Sequence, residues 1–66
     1  MNYDNISERI KALRKARKMT QYSLANLSYI SALTIVRIEN GQVTPNKSTL
    51  KCIADALGVS LDELVK

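Results

Sequence analysis

The sequence predicts an all-α fold of five short helices. Three observations carry this. Apolar residues recur at helical spacing near both ends, as Ile6, Ile10 and Leu13, and again as Leu50, Ile53, Ala54 and Leu57. Strand signals are absent, because the β-branched residues fall at helical spacing rather than in alternation. Between the two stripes, Thr20–Gly41 reads as two short helices joined by a tight turn.

The first helix is expected from about Asn5 to Lys18. Ile6, Ile10 and Leu13 form its buried stripe; Lys11, Lys15 and Lys18 fall on another face, and Arg14 sits at the stripe's edge. Thr20 is the expected N-cap of a second helix over about Gln21–Ser28. Ser31 caps a third, about Ala32–Asn40, and Gly41 stops it. Gln42–Pro45 is a loop, since Pro45 resists helix before it. Asn46 caps a fourth helix ending near Leu57, with Gly58 as its terminator. Ser60-Leu61-Asp62-Glu63 is a capping box that opens a last helix running to Lys66.

Within Thr20–Gly41 the second helix buries Leu24 and Ala25, and the third buries Ile35 and Ile38. Ile30 plugs the angle between them. The third helix then keeps a free face carrying Ser31, Ala32, Leu33, Thr34 and Arg37. This is the layout of a helix-turn-helix, spanning about residues 20–40, whose second helix enters the DNA major groove.

Length and charge agree with that reading. Residues 1–66 read as one domain, with a core small enough that packing must be efficient or a partner chain must help. The net charge is +4; residues 1–33 hold six basic and two acidic residues, whereas residues 34–66 hold four of each. Arg9, Lys11, Arg14, Lys15, Arg17 and Lys18 supply the excess. Alone they are a solvated helix face; beside a helix-turn-helix they become a footprint for a polyanion. One cysteine and no histidine exclude a disulfide framework and a zinc cluster, and no cofactor is implied. Cys52 is read as a small packing residue. The opening Met1-Asn2-Tyr3-Asp4 begins no apolar run fit for a signal peptide or membrane span, so a cytoplasmic protein is expected, nucleoid-associated when on DNA.

These residues resemble the lambda-repressor-like, Cro-type (Xre) helix-turn-helix regulators. The resemblance runs from Ile6 to Leu64. It rests on Gln21, Leu24-Ala25, Ile35, Ile38-Glu39 with Gly41, and the tail Ala56-Leu57-Gly58-Val59-Ser60-Leu61-Asp62-Glu63-Leu64. It implies a compact five-helix DNA-binding domain, usually acting as a dimer on operator DNA. Two positions depart from the family pattern. Tyr29 stands where the family often has Gly, and Lys47 where it commonly has an apolar residue. A left-handed Tyr29 would cost about 1–2 kcal/mol.

Base readout is expected from Ala32, Leu33, Thr34 and Arg37. Ala32 and Leu33 suit the thymine methyl; Thr34 can meet a base or a phosphate; Arg37 can reach guanine or a phosphate, or remain a solvated surface residue. The resemblance carries phosphate binding onto Gln21, whose amide can also touch a base or brace the third helix. Ser31, Asn40, Thr44, Asn46 and Lys47 lie at helix ends or in the flanking loop, as phosphate contacts or as simple cap and turn residues. Arg14 and Glu39 pair in the family, which implies a structural ion pair here. The resemblance also places a dimer contact on the last helix, where Leu64 faces the core and Leu61 or Val65 lacks an obvious internal partner; alternatively both cover the core edge. Tyr3, Tyr22 and Tyr29 do not form a stacking platform by spacing.

A DNA-binding transcription regulator, probable in role as a dimeric repressor of an inverted repeat, is the leading reading. A protein-interaction module, antitoxin-like, that kept the fold without strong DNA readout is the alternative, and the apolar Ala32-Leu33 pair keeps it open. An enzyme is not expected: there is no histidine, no carboxylate pair on one face and no glycine-rich phosphate loop. No membrane partner or small-molecule ligand is implied.

Overall fold

A computed structural model of the chain describes residues 5–65. Five helices follow one another: α1 (Ile6–Ala16), α2 (Gln21–Ser28), α3 (Ala32–Glu39), α4 (Lys47–Leu57) and α5 (Leu61–Val65). No strand is present among the described residues. The expected helix-turn-helix is α2 and α3, joined through Tyr29–Ser31. α2 packs on α3 and α4, while α1 packs on α3, α4 and α5. The core between them is aliphatic: Ile10, Leu24, Ile35, Leu50, Ile53 and Leu64 are fully buried.

All four expected caps are made. The side-chain oxygens of Thr20, Ser31, Asn46 and Ser60 accept from the N–H groups of Ser23, Thr34, Thr49 and Glu63 at 2.8–3.1 Å. Each satisfies a donor that its helix cannot.

The C-termini share one device. Lys18, Tyr29, Gly41 and Gly58 all adopt positive φ, between 56° and 75°. Past each, an N–H reaches back five residues: Met19 to Arg14 O, Ile30 to Ala25 O, Gln42 to Arg37 O and Val59 to Ala54 O, at 2.9–3.1 Å. This is the Schellman geometry. It corrects one boundary: α1 stops at Ala16 rather than Lys18, because Lys18 is the left-handed residue that turns the chain. Asn40 likewise caps α3 instead of continuing it. The expected end of the last helix at Lys66 lies outside the described residues, as does Tyr3.

Four side chains differ from expectation. Leu13 is half-buried, not core. Cys52 is exposed rather than packed. Val65 is only 4 % exposed and sits in the chain's own core, so the expectation that it lacks an internal partner is corrected. Leu61 is half-buried against that core. Arg9 is not a free surface cation. Its Nε donates to Leu64 O at 2.8 Å, and its guanidinium also reaches Glu63 O. It thereby satisfies carbonyls at the end of α5.

Candidate nucleic-acid interface

The orientation of α3 is set by a buried polar network. Arg14 Nε donates to Glu39 Oε2 at 2.6 Å, and its second guanidinium nitrogen donates to Glu39 Oε1 at 3.0 Å. The third donates to Met19 O at 2.7 Å. Gln21 Nε2 donates to Glu39 Oε1 at 3.2 Å. The end of α1, the start of α2 and the end of α3 are thus tied at one carboxylate. Burying this pair carries a desolvation cost, which good geometry and full satisfaction offset. No buried side-chain nitrogen or oxygen among the described residues lacks a partner.

Gln21 therefore braces the third helix, one of the roles open to it. One amide proton goes to Glu39, and its second remains available at the capped N-terminus of α2.

Ser31, at the leading end of α3, spends its hydroxyl locally. It accepts from Thr34 N–H at 3.1 Å and donates to Thr34 Oγ1 at 2.8 Å. Its one proton is committed, which corrects its expected role as a phosphate donor. Ala32 is half-buried and packs on the core, so it does not point away from it as expected. Thr34 is half-buried but keeps its own hydroxyl proton. Leu33 is 58 % exposed, and Arg37 and Asn40 are exposed. Leu33, Arg37 and Asn40 lie four and three residues apart, so they share one helix face. No hydrogen bond or ion pair among the described residues holds the Arg37 side chain.

Sequence reading missed Val36. It is half-buried, yet it belongs neither to the core nor to the side chains packed against it. Its three-residue offset from Leu33 is the signal that could have found it.

Beyond α3 the loop leads to exposed Thr44, Asn46 and Lys47, with buried Pro45 between them. Asn46 uses its oxygen as the cap of α4, which leaves its NH2 group as a donor. With Arg9 and Arg14 engaged inside the fold, the outward basic residues of α1 and its turn are Lys15, Arg17 and Lys18 beside half-buried Lys11.

Tyr22 and Tyr29 are 75 % and 96 % exposed, but nothing is stacked between them. No helix among the described residues is long and apolar enough to cross a membrane.

Comparison with known proteins matches residues 10–64 to the helix-turn-helix family. The immunity repressor protein of Bacillus phage phi105 is 40 % identical over 60 residues, covering 91 % of this chain and 42 % of that protein. The HTH-type transcriptional activator BcrR of Enterococcus faecalis is 37 % identical over 59 residues, covering 89 % of this chain and 29 % of that protein. The chain thus spans less than half the length of these curated relatives. Among solved structures, the c2 repressor of Salmonella phage P22 in complex with synthetic operator 9T superposes with a TM-score of 0.83. It is 34 % identical, and the match covers 92 % of each chain.

Proposed function

The chain belongs to the helix-turn-helix family, and from that we propose that it is a sequence-specific double-stranded DNA-binding transcriptional regulator. We assign it the role of a repressor that occupies an inverted-repeat operator as a homodimer, in the cytoplasm where the DNA lies.

One observation carries the proposal. α3 presents Leu33, Arg37 and Asn40 on an open face, while its Glu39 end is locked to α1 and α2 by the Arg14 network. A helix must be both open on one side and rigidly aimed to read base edges. Thr34 can add a base or phosphate contact, and Gln21, Asn40, Thr44, Asn46 and Lys47 flank the face as phosphate donors. The likeness to a repressor held on synthetic operator supports the same docking.

Two copies act together because one recognition helix spans only a few base pairs. A two-fold pair would place the recognition helices about 34 Å apart, one DNA turn. Leu61 is the apolar residue of α5 left half-exposed for that contact; buried Val65 is not.

Titration of duplex DNA at two salt concentrations is the test. A dimer contacting six or more phosphates should lose about a thousandfold in affinity between 50 and 200 mM salt. Affinity that does not fall with salt would overturn the proposal.

A further inference from the structure

If α3 enters a groove, its leading edge has little hydrogen bonding left to offer. Ser31 spends its proton on Thr34, and the Thr34 N–H returns to Ser31. The methyl of Ala32 is turned to the core. What projects is the 58 % exposed Leu33, followed on the same face by Val36 and then Arg37. The face opens on a branched aliphatic ledge and closes on a guanidinium.

An exposed aliphatic side chain gains only from meeting other apolar atoms. On the base edges of the major groove, the apolar feature of unmodified DNA is the C5-methyl of thymine. A cytosine methylated at C5 carries the same group at the same ring position. Arg37 beside the ledge and the net charge of +4 suit this surface to duplex DNA rather than to an apolar protein groove.

We infer that Leu33 and Val36 together select operators by pyrimidine C5-methyl groups, on thymine or on 5-methylcytosine alike. Val36 thereby becomes a specificity-determining residue. The feature recognised is the methyl group rather than the base that bears it. This inference rests on the DNA-binding reading above.

The test is selection by the full chain from three random-sequence duplex libraries. One contains thymine, one uracil in its place, and one uracil together with 5-methylcytosine in place of cytosine. The thymine library should yield a motif with thymine at the positions facing the ledge. In the uracil library the preference at those positions should vanish, with affinity about fourfold lower for each methyl lost. In the third library it should move to 5-methylcytosine. Leu33→Ala and Val36→Ala, both outside the core, should each shrink the thymine-to-uracil ratio about fourfold on the selected duplex while the salt dependence stays unchanged. Circular dichroism confirms that each variant is folded.

Equal affinity for thymine and uracil duplexes, with steep salt dependence intact, would overturn the methyl inference and leave DNA binding standing. Failure to retain any duplex would overturn both.

Discussion

Arg14 and Glu39, separated by 25 residues, meet through two hydrogen bonds of 2.6 and 3.0 Å, and the Glu39 side chain is 1 % exposed. The pair lies on the inner side of the helix that offers its other side to a ligand. Stability and docking geometry therefore depend on one carboxylate.

Removing it should be severe. Glu39→Ala leaves the Arg14 guanidinium buried and unpaired, at a cost of about 3–5 kcal/mol. Glu63→Ala removes an exposed capping-box residue and should cost below about 1 kcal/mol. Thermal melts of the two variants decide this, and equal shifts would show that the pair contributes little.

Tyr29 holds φ 60° and is 96 % exposed, so its side chain contributes almost no packing. Tyr29→Gly should relieve left-handed strain and stabilise the domain by on the order of 1 kcal/mol. Gly58→Ala, at φ 74°, should shift the midpoint the opposite way. Denaturant midpoints measured side by side check both signs.

Arg37→Ala should weaken operator binding by about 1–3 kcal/mol while leaving the melting temperature nearly unchanged, since the side chain is exposed. Comparing specific and random duplexes separates its partners. Loss confined to the specific duplex means a guanine contact, and equal loss on both means a phosphate. Unchanged binding to both would show that α3 does not dock by this face.

The two apolar residues of α5 should behave differently. Val65→Asp buries an unpaired charge and should unfold the domain in a large fraction of molecules. Leu61→Ser, at a half-buried site, should leave the fold intact and shift the operator-bound species toward one copy per half-site. Sedimentation with and without operator reads the second effect. A Leu61→Ser variant that still binds operator as a pair would remove Leu61 from the interface.

Helix starts were legible in the sequence because capping is local chemistry: Thr20, Ser31, Asn46 and Ser60 each act within three residues of themselves. The glycine stops were legible for the same reason. Lys18 was not, since nothing in a lysine announces positive φ. Val65 was misplaced because a helix of five residues is too short for periodicity to assign a face. Arg9 counted as surface charge until the fold brought it to the carbonyls of α5, some 55 residues away in sequence. The Arg14–Glu39 pair came from family resemblance, because residue spacing carries no information about a contact between separate helices. The commitment of Ser31's proton to Thr34 depends on a rotamer, which residue type does not specify.

The wholly aliphatic core has a spectroscopic consequence. The chain has no tryptophan or phenylalanine, and Tyr22 and Tyr29 both stand in solvent. Unfolding moves neither ring out of an apolar environment, so their emission is nearly blind to the folding transition. Both rings flank the helix pair that meets the groove. A change in their intensity on adding duplex would therefore register docking against a quiet background, without any introduced fluorophore.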